Sequence, residues 1–108
     1  MNKDNLLQEV ISIIKPYGVK KIILFGSYAK GNPNTESDID LLVIKEIPED
    51  EVRDFRIQLK KQLWITLSKK FPIHFDIIVD DESRINKRIA MGDLFYKEIY
   101  TKGKTIYA

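Results

Sequence analysis

Leu24-Phe25-Gly26-Ser27-Tyr28-Ala29-Lys30-Gly31 and, after Asn32-Pro33-Asn34-Thr35-Glu36, Ser37-Asp38-Ile39-Asp40-Leu41-Leu42-Val43 are the segments on which the reading of this chain turns. The first opens in a nearly continuous apolar run, Ile22 to Phe25, which predicts a strand over Val19 to Phe25 covered on both faces. Gly26-Ser27 breaks it. A glycine at a strand end lets the backbone turn tightly and approach a ligand closely. Amides at the start of a short helical turn, Ser27 to Lys30, point outward and attract phosphate oxygens, and the Ser27 hydroxyl adds a donor. Lys30 stands close enough in sequence to help neutralise phosphate, although a solvated lysine is the commoner state. The second segment predicts a strand from Asp38 to Ile44. Its two carboxylates, two positions apart, project from one face. Adjacent negative charges on a sheet call for a cation, and hard oxygen ligands suit Mg²⁺ or Mn²⁺.

Working outward, Asp4 or Asn5 can cap a first helix whose apolar stripe is Leu6, Leu7, Val10, Ile13 and Ile14. Pro16 weakens its end and Gly18 stops it. Gly31, Asn32, Pro33 and Asn34 predict a loop. Pro48 starts a second long helix, with Glu49, Asp50 and Glu51 at the positive end of its dipole. Val52, Phe55, Leu59, Leu63 and Leu67 form its apolar face, Lys69 and Lys70 suit its other end, and Pro72 stops it. Ile73 to Val79 predicts a third strand, with Asp76 between Phe75 and Ile77. A last helix is expected from Ser83 to Tyr100, then Gly103 and a short tail, Thr105-Ile106-Tyr107. The order helix, strand, strand, helix, strand, helix predicts an α/β fold with a small mixed sheet flanked by helices. The second strand, long helix and third strand form a crossover unit.

The 108 residues fit one domain, taken as 1–108. With no cysteine, disulfides, thiolate metal sites and cysteine nucleophiles are excluded, and a reducing, cytoplasmic setting is expected. The polar start, Met1-Asn2-Lys3-Asp4, and the absence of a long apolar run predict neither a signal peptide nor a membrane span. The formal charge of +2 is spread along the chain, and the pairs Lys20-Lys21, Lys60-Lys61 and Lys69-Lys70 read as solubilising surface. Direct nucleic-acid binding is not expected, because no basic stripe or stacking aromatics stand out.

A Gly-Ser turn alone is usually only a turn, and an isolated Asp-x-Asp is often a solvated strand end. The order is what is specific: strand, Gly26-Ser27, loop, Asp38-x-Asp40, helix, and a strand carrying Asp76. If the third strand neighbours the second, Asp76 completes a cluster able to hold two metal ions about 4 Å apart for in-line nucleotidyl transfer. An EF-hand over Asn32 to Val43 fails for want of its central glycine and final glutamate. A P-loop fails for want of Gly-Lys-Ser/Thr.

This pattern resembles the signature of the DNA polymerase β-type nucleotidyltransferase superfamily. The short form is similar to the minimal nucleotidyltransferase (MNT) domains, many of them encoded beside a helical HEPN partner, and the likeness extends to the ending Phe95 through Tyr107. The resemblance implies a palm-like fold and ATP as the nucleotide donor. It implies that Gly26 and Ser27 hold the triphosphate and that Asp38 and Asp40 bind metal. Asp76 would complete the metal site and activate an acceptor hydroxyl. Lys30 stands where many relatives carry Arg; it keeps the charge and loses the forked geometry. The implied role is an antitoxin that adenylylates a HEPN-type toxin, a tyrosine of the partner being one candidate target. Two alternatives stay open: a catalytically inactive domain that neutralises its partner by binding, and an enzyme modifying a small hydroxylated molecule such as an aminoglycoside.

Among the remaining residues, His74 shares a strand face with Asp76 and reads first as a solvent-edge residue. Trp64 reads as core or interface, Tyr28 as packing or a nucleotide border, and Ser37 as a loop cap. Leu42, Ile44 and Ile78 fall on the aspartate face of the sheet. They need cover, from the terminal segments or from another chain, so a partner or homo-oligomer is expected.

Overall fold

The structure, a computed structural model, describes residues 3–29, 38–70 and 73–108, the side chains of 3, 4, 27 and 28 excepted. The predicted loop from Gly31 to Asn34, with Lys30, Ser37, Pro72 and the side chains of Ser27 and Tyr28, lies outside the described residues.

Helix α1 (Lys3–Ile14) buries the expected stripe, with Leu6, Val10 and Ile14 fully covered. It runs through a 3₁₀ turn into β1 (Lys21–Phe25). The four-residue α2 (Gly26–Ala29) follows, then β2 (Ile39–Ile44). A 3₁₀ turn over Glu49–Glu51 leads into α3 (Val52–Leu67). β3 (Phe75–Asp80), α4 (Glu82–Ala90), α5 (Leu94–Lys102) and β4 (Lys104–Tyr107) complete the order.

The sheet runs β3-β2-β1-β4. β1 is antiparallel to both neighbours, and β2 is parallel to β3, the pair being joined through α3. Each central strand alternates between two cores, because successive side chains leave a strand on opposite faces. Ile22, Leu24, Ile39, Leu41, Val43, Ile77 and Val79 pack with Leu6, Val10, Ile14, Leu59, Leu63 and Leu67 on the α1/α3 side. Ile23, Leu42 and Ile44 pack with Ile85, Tyr96 and Ile99 on the α4/α5 side. The continuous apolar runs in β1 and β2 thus follow from double coverage.

Two expectations are corrected. The last helix is not continuous from Ser83 to Tyr100. Gly92, at φ +98°, takes a left-handed conformation that stops α4, and the Asp93 carboxylate then caps α5 by accepting from the Tyr96 amide at 3.0 Å. The tail is not a loose end either. It forms β4 on the free edge of β1, with a register shift between Ile22 and Ile23, and half-buries Ile106 and Tyr107. The broken helix is what covers the aspartate face. Leu42 and Ile44 are fully buried beneath α4 and α5, so that cover comes from the chain itself.

A polar knot fastens these last helices to the sheet. The Asp80 carboxylate accepts from Arg84 Nε at 2.8 Å, from the Asp81 amide at 2.8 Å and from the Tyr96 hydroxyl at 2.9 Å. Arg84 also donates to the Ile47 carbonyl at 2.8 Å. Burial pushes the Asp80 carboxyl upward, but the Arg84, Asp81 and Tyr96 hydrogen bonds together hold it below its ordinary value. Tyr96, through burial and its bond to Asp80, is pushed up to about 12.

Candidate active site

Parallel pairing of β2 with β3 sets the site. The register matches Asp40 with Asp76, and antiparallel pairing of β1 with β2 matches Phe25 with Asp40. Three strands therefore bring Gly26, Asp40 and Asp76 to one end of the sheet, with Asp38 just ahead of β2. Asp40 and Asp76 share the α4/α5 face with Leu42, Ile44 and Ile78, as strand alternation requires.

The electrostatics show that the carboxylates feel one another. The Asp40 carboxyl is raised above its ordinary value, first by burial, then by the negative charges of Asp76 and Asp38. Asp40 is half-buried, while Asp38 and Asp76 are exposed. Among the described residues none of the three has an ion-pair partner. Nor does any group of three His, Asp or Glu side chains among the described residues form a metal cage unaided.

Gly26 is held hard against this cluster. Its φ of +74° is left-handed, and a Cβ built on it would overlap the Asp40 carboxylate. The glycine expected at a phosphate turn is thus required on two counts, one conformational and one steric.

Recesses open on both flanks of the carboxylates. On the β1 side, Phe25, Gly26, Ala29, Phe95 and Lys102 help line a cavity of about 150 Å³, with Phe25 and Phe95 in edge contact at 6.0 Å between centroids. On the β3 side, Asp38, Lys60, Trp64, His74, Phe75 and Asp76 line a cleft of about 250 Å³. Trp64 is 59 % exposed, so it is not a core residue. The sequence suggests only surface roles for Lys60 and Lys61, and helical periodicity alone cannot reveal that Lys60 meets the site. At the other end of β3, Arg53, Arg56, Arg84, Lys87 and Arg88 surround a larger cleft of about 460 Å³. That concentration is hidden in sequence because two helices supply it.

Comparison with known proteins shows the family and the fold. The family model described as a nucleotidyltransferase domain matches residues 4–106. The "Putative protein adenylyltransferase MJ0604" of Methanocaldococcus jannaschii is 33% identical over 110 residues, covering 99% of this chain and 100% of that protein. A second M. jannaschii protein of the same description, MJ0141, is 32% identical over 82 residues, covering 66% of this chain and 75% of its own. Among solved structures, a toxin-antitoxin crystallised with AMP-PNP superposes with a TM-score of 0.67 at 20% identity, over 94% of this chain and 73% of that one. A single-substitution mutant of the toxin-antitoxin MntA-HpeT gives a TM-score of 0.65 at 20% identity, over 100% of this chain and 74% of that one. At such identities the superpositions speak for the fold, and the sequence matches speak for descent. With Gly26, Asp40 and Asp76 aligned across three strands of that fold, the chain belongs to the nucleotidyltransferase domain family.

Proposed function

We propose that this chain transfers AMP from ATP to a hydroxyl on a partner protein, releasing pyrophosphate, and that it acts as the antitoxin of a HEPN-type toxin. One observation carries the proposal: Gly26, Asp40 and Asp76 lie side by side at one sheet end, with the Asp40 carboxyl raised by burial and by its acidic neighbours. Relatives named as protein adenylyltransferases and structural neighbours from toxin-antitoxin pairs support it.

In this mechanism the backbone at Gly26 and Ser27 holds the triphosphate, with Lys30 adding positive charge. Asp38, Asp40 and Asp76 would hold Mg²⁺ or Mn²⁺, one ion or two. The donor set fits: three hard oxygen donors without an ion-pair partner among the described residues, at a site where mutual repulsion favours a cation. That no all-protein cage is formed also fits, because Mg²⁺ commonly takes one or two carboxylates and completes its sphere with phosphate oxygens and water. The bound cation supplies charge neutralisation and a lower pKa for the acceptor hydroxyl.

Asp76 accepts the acceptor's proton. The freed oxygen forms a bond to the α-phosphorus, the bond from that phosphorus to the bridging oxygen breaks, and the electron pair departs with pyrophosphate. Asp76 then returns its proton to solvent. Alignment and charge neutralisation do most of the work, since the protein has little covalent chemistry to perform.

The test is calorimetric binding of ATP with Mg²⁺ to the wild-type chain and to Asp38→Asn/Asp40→Asn. Metal-dependent binding by the wild type, abolished in the double variant, is the expected result. Silence toward ATP, GTP, CTP and UTP alike would overturn the donor assignment and leave a binding-only antitoxin.

A further inference from the structure

We propose that Arg53, Arg56 and Lys87 form a second anion site, in a cleft at the opposite end of β3 from the carboxylates, and that it takes a ligand carrying several linked phosphates. This site stands independently of the transferase assignment above.

Two helices build the cleft. Arg53 and Arg56 are three apart on α3, and Arg84, Lys87 and Arg88 are three and four apart on α4, so each helix turns its cations to one side. α3 covers one face of the sheet and α4 the other, and β3 is an edge strand. The two rows meet across that edge, around Val79 and Asp80, in a recess of about 460 Å³. Asp76 lies four residues back along the strand, about 13 Å away.

The charges in this recess are not balanced. Its five cations face two carboxylates, Glu49 and Asp80. Asp80 is bound by Arg84, and Arg88 lies 4.0 Å from Asp93. Among the described residues Arg53, Arg56 and Lys87 have no ion-pair partner, although Asp50, Glu51 and Asp54 stand beside the two arginines in sequence. Arg56 is also half-buried. Cations gathered without counter-ions repel one another, and an anion from outside relieves that repulsion.

Guanidinium forks match phosphate and carboxylate oxygens alike. A carboxylate brings one negative charge, whereas linked phosphates concentrate several within one recess. An acidic peptide would need a further anchor, and strand addition does not supply it. The Ile39 amide donates to the His74 carbonyl and the Lys45 amide to the Asp80 carbonyl, each at 3.0 Å. Alternate residues of β3 therefore address β2, and Ile77 and Val79 turn their backbone groups outward. Both residues are buried, so the edge is closed there. A free oligophosphate and the backbone of a single nucleic-acid strand offer the same phosphate chemistry.

The full chain is titrated calorimetrically, in EDTA, with inorganic tripolyphosphate, with oligothymidylate and with oligoglutamate. Without a divalent cation the acidic cluster at the other end of the strand repels all three. Saturable binding of tripolyphosphate is expected, weakening as salt rises. Arg56→Gln and Lys87→Gln should each lower its affinity about ten-fold, the loss of one charge-assisted hydrogen bond. Arg56→Lys should lose less, because the charge remains and only the fork is gone. Arg53→Gln/Arg56→Gln/Lys87→Gln should not bind, while Asp38→Asn/Asp40→Asn should bind as wild type does. Since the triple variant keeps its side-chain stems and loses only repulsion, it should melt no earlier than wild type in low salt. Binding of oligothymidylate without tripolyphosphate would assign the phosphates to a nucleic-acid strand; the reverse would assign them to a free oligophosphate. Oligoglutamate binding as tightly as either would overturn the phosphate assignment and give the cleft to an acidic protein segment. Undiminished tripolyphosphate binding in the triple variant, or no binding of either phosphate probe by the wild type, would sink the site. An earlier melt of the triple variant would show that these cations serve the fold instead.

Discussion

Gly26 and Asp40 compete for the same space, and each is where it is because of what the other lacks. A methyl group at position 26 would need both a left-handed backbone and a displaced carboxylate. Gly26→Ala should therefore lose about 1–3 kcal/mol in urea unfolding, together with ATP binding. Gly26→Ala/Asp40→Ala should lose less than the sum of the single changes, because the two sites share one contact. Asp40→Asn should do the reverse of an ordinary core substitution. Relief of the cost of burying this charge, and then of the repulsion from Asp76 and Asp38, should raise stability in metal-free buffer by about 0.5–1 kcal/mol, kept small by solvent screening, while activity is lost. A melting curve beside a transfer assay checks both halves. At this scale the sequence is informative about identity: Gly26, Asp38, Asp40 and Asp76 all stand out by residue type and spacing. It is silent about Trp64 and Lys60, whose significance depends on what faces them across a cleft.

Among the elements, α4 and α5 depend on Asp80. Losing its hydrogen bonds, by Asp80→Asn, should cost about 2 kcal/mol at neutral pH. The pH dependence has a definite sign. The folded-state carboxyl lies below its ordinary value of 3.8, so its contribution is fully present above that value. It is lost as pH falls through the lower folded value. The gap in urea midpoint between wild type and Asp80→Asn should thus be wide at pH 7 and close below about pH 4. Gly92 controls the corner between the same helices. Nothing lies within 4 Å of a Cβ added there, so Gly92→Ala meets only the left-handed backbone penalty. A loss of about 1 kcal/mol is expected in urea unfolding, without the steric component present at Gly26. The break is written in the sequence as a glycine followed by an aspartate cap. Apolar periodicity continuing on either side of it hides that signal.

For the whole molecule, β4 closes the free edge of β1, and α4 with α5 closes the second face of the sheet. Removing residues 104–108 would reopen an edge and uncover part of the first core, where Ile106 and Tyr107 pack. The truncated chain should melt earlier and move to higher mass on size exclusion, since an unpaired strand edge recruits others. Among the described residues the large exposed apolar groups gather in two places, Ile57, Trp64 and Ile65 on α3, and Met91, Leu94 and Phe95 at the α4–α5 corner. Of the two sources of cover expected for the aspartate face, the terminal segments or another chain, the first is the one seen, since α4 and α5 bury Leu42 and Ile44. Among the described residues no helix is long and apolar enough to cross a membrane.

Local chemistry makes part of this protein readable from its amino acids. Apolar runs and their period place three strands and two long helices, and Gly26-Ser27 with Asp38-x-Asp40 marks one side of the candidate site, because those signals lie between near neighbours in the chain. The rest is non-local. Asp40 meets Asp76 only through the register of two parallel strands, which depends on how α3 packs beneath them. The pairing of β4 with β1 also waits for the tertiary structure, as does the folding back of α5 over Leu42 and Ile44. So does the exposure of Trp64 beside the carboxylates. Each brings together residues that are distant in sequence, and only burial of two opposed apolar faces decides which of them meet.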